Sequence, residues 1–243
     1  MENAALKFPT EIIDLPSKGL VYPKENLLSE GKVEMKYMTA RSEDILTNQS
    51  YIEKGIVLDK LLEDLVVTKI NIKDLIVGDK NALLIAARVL GYGKEYKFTI
   101  KGEEITVDLS ILENKEFDIA SGTNEFSFTL PHSGNEITYK ILTGHDESLI
   151  DQELKGLKKL NKNASPQLST RLKYIITSVG GERDTKSIRE FVDNYLLARD
   201  SRSLREHIKQ NQPDVNLTVQ VELNGGEEDV EIPINLNFFW PDL

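Results

Sequence analysis

Apolar residues recur at helical spacing in two stretches of the chain. In residues 56–67, Leu58, Leu61 and Leu65 recur every three or four positions with charged side chains between them, which is the pattern of an amphipathic helix. In the first stretch this spacing predicts helices over residues 39–48, 56–67 and 79–90, the first capped by Thr39 or Ser42, the last begun by Asp79 and stopped by Gly91. In the second stretch it predicts helices over residues 146–160, 166–179, 185–197 and 201–210.

Between the helices, apolar and polar residues alternate as they do in β-hairpins. The alternation predicts one hairpin of residues 96–100 and 105–107, a second of 126–130 and 137–142, and a third of 217–223 and 230–236 around a turn at 224–226. Since no strand–helix–strand succession indicates a parallel sheet, we predict an α+β fold, mainly helical with two or more β-hairpins and no parallel sheet. We expect two domains: residues 1–110, with an N-terminal arm, a helical bundle and the first hairpin, and residues 111–243, with the second hairpin, helices and a C-terminal hairpin with an aromatic tail.

Proline and glycine residues punctuate the first 38 residues and predict an extended arm that closes with a short strand near residues 33–38. Within the arm, Leu15-Pro16-Ser17-Lys18-Gly19 followed by Tyr22-Pro23 predicts a rigid double turn that presents a lysine and a tyrosine. The apolar side chains of the arm are costly to leave in water, so the arm must pack on its own chain or on a partner.

The C-terminal tail contains three consecutive aromatic residues, Phe238-Phe239-Trp240, followed by Pro241. Three in a row place at least one on each side of a strand, so a sheet with one buried face cannot cover them all. They either plug the base of the fold or anchor another chain. We hypothesise that the arm and the tail pack together or side by side to form a partner surface. The candidate partner-binding residues are Leu15, Pro16, Lys18, Gly19, Tyr22, Phe238, Phe239, Trp240 and Pro241.

Charge and composition narrow the classes of function. The 243 residues carry 30 Lys and Arg against 40 Asp and Glu, a formal charge of −10, which argues against a main role in neutralising nucleic-acid phosphates. No window approaches the roughly 18 apolar residues that a membrane span requires, and we read no secretory signal at the N-terminus. The absence of cysteine removes disulfides, thiolate zinc sites and cysteine nucleophiles.

The histidines and glycines do not form a recognisable catalytic or nucleotide-binding motif. The residues His132, His145 and His207 lack the spacing of a helical metal site. The pair His145-Asp146 has two interpretations: one half of an acid–base site, or the start of a helix. Gly91-Tyr92-Gly93 follows a predicted helix, whereas a phosphate loop precedes one. We therefore predict no catalytic, metal-binding or cofactor-binding residues, and no enzyme.

Charged clusters are the remaining candidates. The carboxylates at residues 103–104 and 227–229 lie in or beside predicted turns, where solvated charge is usual. Arg199, Arg202 and Arg205 fit either a solvated helix face with local ion pairs or a docking patch for an acidic partner.

Six segments spread in order over nearly the whole chain form one pattern. They are Leu15-Pro16-Ser17-Lys18-Gly19-Leu20-Val21-Tyr22-Pro23; Met38-Thr39-Ala40-Arg41-Ser42-Glu43-Asp44-Ile45-Leu46-Thr47-Asn48; Gly78-Asp79-Lys80 with Leu83-Leu84-Ile85-Ala86-Ala87-Arg88 and Gly91-Tyr92-Gly93; Leu130-Pro131-His132-Ser133-Gly134; Leu142-Thr143-Gly144-His145-Asp146-Glu147; and Phe238-Phe239-Trp240-Pro241. Together they resemble the baseplate hub assembly proteins of T4-type contractile-tailed bacteriophages.

The resemblance implies a late phage protein that acts as a chaperone in viral tail assembly and virion morphogenesis, without catalysis. Its partners would be other phage baseplate hub or tail proteins, with no nucleic acid and no membrane, and its location the host cytoplasm during assembly or the virion baseplate. Relatives of this type often carry Cys-x₂-Cys pairs near the segments that match residues 95–109 and 220–230; this chain has none, so we expect no zinc. A permanent structural subunit of the baseplate hub and a carboxylate-dependent hydrolase are the alternatives.

Overall fold

The computed structural model describes residues 9–117, 122–161, 166–223 and 225–239. Its α-helices are α1 (Ala40–Leu46), α2 (Gln49–Lys54), α3 (Val57–Leu65), α4 (Val77–Tyr92), α5 (Gly144–Leu160), α6 (Gln167–Ile175), α7 (Thr185–Asn194) and α8 (Ala198–Asn211). Its strands are β1 (Thr10–Asp14), β2 (Lys32–Lys36), β3 (Glu95–Ile100), β4 (Glu103–Asp108), β5 (Phe126–Thr129), β6 (Glu136–Tyr139), β7 (Ile176–Val179), β8 (Thr218–Leu223) and β9 (Gly226–Glu231). Within the described residues every strand pairing is antiparallel, which confirms the α+β class and the expectation of no parallel sheet.

The strands form small sheets. The pairs β1–β2, β3–β4 and β8–β9 are two-stranded, and β5, β6 and β7 form a three-stranded sheet with β6 in the middle. The far edge of β2 is bridged by the segment after α3, through Met35 and Val66. The predicted arm is thus a hairpin of β1 and β2, and residues 1–8 of that arm lie outside the described residues.

Helix α4 differs from its prediction at both ends. It begins at Val77 after an extended Ile76, and Asp79 lies inside the first turn as a fully buried residue rather than at the cap. The carboxylate of Asp79 binds the arm instead of its own helix, so it cannot act as the cap. Gly91 does not stop the helix, which continues to Tyr92, with Gly93 as the C-cap at φ 86°. A Cβ on Gly91 would lie 2.5 Å from Met38 Sδ, so this glycine allows close packing.

Two predicted elements change character. The helix predicted over residues 166–179 ends at Ile175, and the residues that follow, three of the four β-branched, form β7 against β6. In the third hairpin, β9 begins at Gly226, so the acidic residues 227–229 enter the strand ladder instead of the turn. Asn224 of that predicted turn lies outside the described residues.

Buried residues form two hydrophobic cores. The first contains residues from Leu15 to Leu109, with Ile141 and the buried residues from Val215 to Phe239. The second contains residues from Leu130 to Leu204, on β5, β6, β7 and the helices around them. The C-terminal hairpin and Phe238 and Phe239 of the tail pack in the first core. The division into two domains at residue 110 stays a prediction.

No helix in the described part of the chain combines the length and apolar character needed to span a bilayer.

Candidate partner-binding surface

The loop Leu15–Gly19 is bound to the first turn of α4. The backbone N–H of Ser17 donates a hydrogen bond of 2.9 Å to Asp79 Oδ1, and Ser17 Oγ donates one of 2.6 Å to Oδ2. Tyr22 Oη donates a third bond of 2.6 Å to the same Oδ2. All three residues are buried, so these bonds fix the loop on the helix without water.

The hydroxyl of Tyr22 acts both as a hydrogen-bond donor, to Asp79, and as an acceptor. It also accepts a hydrogen bond of 3.0 Å from the backbone N–H of Ile76, the residue that precedes α4. Burial raises the pKa of the Asp79 carboxyl, although hydrogen bonds from Ser17 and Tyr22 act in the opposite direction. Burial, followed by the charge of Asp79, raises the pKa of the Tyr22 hydroxyl. Tyr22 therefore keeps its proton and holds the loop, which is a structural role rather than a catalytic one.

Backbone geometry at the end of the loop requires glycine and exposes a lysine. Gly19 has φ 77°, and a Cβ there would lie 2.3 Å from the carbonyl oxygen of Ser29. Lys18 also has a positive φ of 52°, and its exposed side chain places Nζ 5.7 Å from the centre of the Phe117 ring. The loop thus presents Lys18 outward, as predicted, whereas Tyr22, which was also predicted to be presented, is buried.

The aromatic tail enters the first core. Phe238 and Phe239 are fully buried, and the Phe238 ring lies edge-on to Tyr96 with centroids 4.7 Å apart. Arg88 Nε donates a hydrogen bond of 3.0 Å to the backbone carbonyl of Phe238. The guanidinium of Arg88 also lies 4.9 Å from the centre of the Tyr92 ring. These contacts anchor the tail to α4.

Most of the candidate partner-binding residues that the structure describes are buried. The candidate residues buried within the chain itself are Leu15, Pro16, Gly19, Tyr22, Phe238 and Phe239. This burial favours the alternative in which they plug the fold. Of the seven candidates that the structure describes, Lys18 alone is exposed; Trp240 and Pro241 lie outside the described residues. Arm and tail do share one core, and partner binding around them stays a prediction.

A cleft of about 390 Å³ lies beside the arm, between Tyr22-Pro23 and the start of α5. It includes His145 and Asp146, which the sequence analysis considered as half of an acid–base pair. Asp146 Oδ1 accepts a hydrogen bond of 2.6 Å from Lys140 Nζ, and Oδ2 accepts bonds from the backbone and hydroxyl of Thr143. Asp146 thereby completes a capping box at α5. The geometry agrees with the helix-start interpretation.

A second Leu-Pro loop is bound in the same manner as the first. In the loop 130–134, the backbone N–H groups of His132 and Ser133 donate bonds of 2.8 and 3.0 Å to the two carboxylate oxygens of Asp200. Asp200 is fully buried in the first turn of α8. Burial acts to raise the pKa of Asp200, but these hydrogen bonds hold it below its ordinary value. Sequence reasoning missed both aspartates as loop anchors; the recurrence of Leu-Pro-x-x-Gly was the available signal.

The charged clusters of the sequence form local pairs. Lys101 Nζ lies 2.6 Å from Glu228 Oε2, between the tips of the first and third hairpins. On α8, Arg202 Nε lies 2.7 Å from Glu206 Oε1, one helical turn away, and both side chains are exposed. Among the described residues no group of three or more His, Asp or Glu is placed to hold a metal ion. These pairs are solvated, and exposed pairs of this kind contribute little to stability.

Comparison of the chain with protein-family models, with curated proteins and with solved structures gives no match. The function is therefore argued from the residues of this chain. Its resemblance to phage baseplate hub assembly proteins stays a prediction that rests on the six segments named above.

Proposed function

We propose that this protein takes part, without catalysis, in the assembly of a phage baseplate hub by binding other hub or tail proteins. The observation that carries the proposal is how polar side chains in the six segments named above are hydrogen-bonded. Ser17, Tyr22 and Asp79 bond to one another and to backbone, as do Thr143 and Asp146. These groups shape loops and helix starts, and a protein whose distinctive residues shape its surface is suited to recognition.

The arm loop is the first part of that surface to test. Lys18 projects from a loop that Asp79 holds in place, so its position is fixed before any partner arrives. Preorganised contacts of this kind bind with less loss of conformational entropy. A partner that carries a carboxylate opposite Lys18 would be recognised by charge.

Copurification tests the proposal directly. A tagged copy is expressed in phage-infected cells, proteins bound to it are identified, and purified particles are examined for the protein. Recovery with hub proteins before assembly and absence from particles supports an assembly chaperone. A fixed number of copies in particles supports the alternative of a permanent hub subunit. If no phage protein is recovered with the tagged copy and the protein is absent from particles, both the assembly chaperone and the permanent hub subunit are contradicted.

Two pairs of variants locate the contact. Lys18→Glu should lower the recovery of partners by about tenfold if a charged contact forms there, whereas Lys24→Glu, on the same arm and also exposed, should not. Trp240→Ala should lower recovery and leave the helical content measured by circular dichroism unchanged. Unfolding of the Trp240→Ala protein would contradict the anchor hypothesis for the tail.

A further inference from the structure

The chain contains the same succession of elements twice. In residues 10–108 a strand, a Leu-Pro-x-x-Gly loop and a second strand precede a helix whose cap is Thr39; in residues 126–231 the same parts precede a helix whose cap is Thr143. Further helices follow in each half, then a long helix, α4 or α8, and a hairpin. We refer to these halves as the first and second units.

The loop anchors of the two units correspond residue by residue. Asp79 and Asp200 each occupy the third position of their helix. Each carboxylate accepts a backbone N–H from the third residue of its loop, Ser17 in the first unit and His132 in the second. A fixed carboxylate at the same place in both units indicates one design used twice.

The sheets of the two units correspond as well. Met35 pairs with Glu11 on one side and with Val66 on the other, and Val66 directly follows α3. Tyr139 in the same way pairs with Phe126 and with Ile176, which directly follows α6. In both units the second strand is therefore central, and the segment after a helix closes its far side.

The first strand of each unit has an open edge. Hydrogen bonds beside β1 join Leu15 to Gly31 and Tyr37 to Pro9. By the antiparallel alternation, the backbone N–H and C=O groups of odd-numbered residues in β1 point toward β2, and those of even-numbered residues, such as Ile12, point outward. Beside β5, Leu130 bonds to Asn135, which by the same alternation leaves Ser127 and Thr129 facing outward. Within the described part of the chain, no hydrogen bond is formed by these outward backbone groups.

A groove lies beside each open edge, at corresponding places in the two units. The first, of about 300 Å³, lies between β1 and α4 and is lined largely by apolar residues, with Glu11 as its charged residue. The second, of about 330 Å³, lies between β5 and α8 and is lined in part by Phe126, His207 and Glu125. The described lining of each groove contains one carboxylate and neither lysine nor arginine.

We propose that each unit binds one extended segment of a partner protein, which adds as a strand to the open edge of β1 or β5 and places alternate side chains in the adjacent groove. An open edge supplies the main-chain hydrogen bonds of such a complex, and a groove selects the side chains. The partner segment is apolar at alternate positions, because the first groove has an apolar floor of Ala82, Ile85, Ala86 and Val89.

Charge complementarity sets the remaining positions of the segment. The open strand β1 carries Glu11 and Asp14, and the chain as a whole has a formal charge of −10. Asp14 Oδ1 lies 3.4 Å from Lys32 Nζ, so Glu11, which lines the first groove, is the carboxylate that a partner meets there. Glu125 at the second groove is bound by Arg183 at 2.8 Å, so the first edge is the more strongly acidic. Burial lowers the pKa of His207, which keeps the second groove free of added positive charge. A segment bound at the first edge therefore carries lysine or arginine opposite Glu11, and the second edge exerts a weaker charge preference.

This inference rests on the proposed function in taking the ligand to be a protein, and it predicts one site in each unit, hence two per chain. The probe is a capped seven-residue peptide of alternating lysine and valine, titrated by calorimetry into the full chain. We expect two peptides per chain, and at least tenfold weaker binding of the matched peptide with glutamate in place of lysine. Equal binding of the two peptides would overturn the proposed charge preference, and binding of a single peptide per chain would overturn the proposal of one site in each unit.

Proline substitutions remove the outward N–H of each edge and leave the ladder to the neighbouring strand intact. Ile12→Pro and Ser127→Pro should each reduce the number of bound peptides from two to one, and the double variant should bind none. Hydrogen exchange on the unsubstituted protein is a second readout that needs no variant. The peptide should slow exchange of the amides of Ile12 and Ser127 and leave Glu11 and Phe126, which already face their sheets, unchanged.

Copurification with the folded double variant separates this inference from the proposed function. Recovery of hub proteins at the unsubstituted level shows that the edges are not the partner site and overturns the inference, while the proposed function stands. Peptide binding as expected, with no phage protein recovered by the unsubstituted chain, supports the two edges as strand-binding sites and contradicts the proposed function.

Discussion

A single carboxylate fixes the loop Leu15–Gly19 of the arm to α4. Asp79 accepts hydrogen bonds from Ser17 and Tyr22 in a site without solvent access. Buried polar groups of this kind contribute modestly when paired and cost much when one partner is removed. Single substitutions in this cluster should therefore have larger effects than similar ones at the surface.

Removal of the Tyr22 hydroxyl is the mildest test of this cluster. Tyr22→Phe leaves Asp79 without one donor and the Ile76 N–H without its acceptor, so we expect a loss of about 1–3 kcal/mol in the free energy of unfolding. Tyr37→Phe is the matched control, because its hydroxyl bonds to Glu11 at an exposed site, and should cost under about 0.5 kcal/mol. Urea denaturation measures both, and equal losses would contradict the assigned role of Tyr22.

Glycine at position 78 is a second residue with a specific steric role. A Cβ there would lie 2.0 Å from the carbonyl oxygen of Pro213, which lies on the segment between α8 and β8. Gly78→Ala should destabilise the protein by about 2 kcal/mol or more, because backbone must move. Gly156 in α5 has open space around it, so Gly156→Ala should instead stabilise by about 0.5–1 kcal/mol. Thermal unfolding of the two variants would show opposite shifts.

At the scale of elements, a carboxylate links the three strands of the larger sheet. Glu125, just before β5, accepts hydrogen bonds from Thr138 on β6, from Thr177 on β7 and from Arg183. The guanidinium of Arg183 and the hydroxyl of Thr177 lower the pKa of Glu125 from its ordinary value of 4.5 to about 2. The sheet thus depends on the ionised form of this side chain.

The pH dependence of stability follows from the lowered pKa of Glu125. A carboxyl with a lower pKa in the folded state stabilises that state above the unfolded pKa and loses the effect as protons bind. The contribution of Glu125 should therefore be complete above pH 4.5 and disappear as the pH falls toward about 2. Unfolding curves of Glu125→Gln and the unsubstituted protein should converge over that interval. A constant difference down to pH 2 would contradict this.

At the scale of the whole molecule, the two cores give the chain two regions of stability. Phe238 belongs to the first core and Leu204 to the second, and both are fully buried. The hairpin β8–β9 belongs by sequence to the second unit, yet it packs in the first core. The first core therefore depends on residues from both ends of the chain.

Hydrogen exchange should separate the two cores. Phe238→Ala removes an aromatic ring from the first core, at a cost of about 3–5 kcal/mol, and should speed amide exchange in α4 and β3–β4 more than in β5–β7. Leu204→Ala, expected to cost about 2–5 kcal/mol, should show the reverse distribution. The same change in both regions from either variant would mean that the cores unfold as one unit.

Local signals made most elements predictable. Leu61 and Leu65 recur at the spacing of an amphipathic helix, and α3 is present where they are. The strand β7 was missed because Ile176 continues the helical spacing of α6, and its conformation depends on pairing with β6, far away in sequence. The contact of Ser17 with Asp79 joins residues 62 apart. Nothing within a local window specifies such a partner, so the site was located by its loop without its anchor.

The positions of Phe238 and Phe239 have a consequence for the order in which the two cores form during synthesis. A ribosome releases the chain from its N-terminus, and regions fold as their residues become available. The buried residues of the second core, from Leu130 to Leu204, have all been made before Phe238 and Phe239, which the first core still needs. The second core is thus completed before the first, although most residues of the first core are made earlier. Slower translation between residues 204 and 238 should lengthen the period in which the unfinished first core is open to proteases and to binding partners.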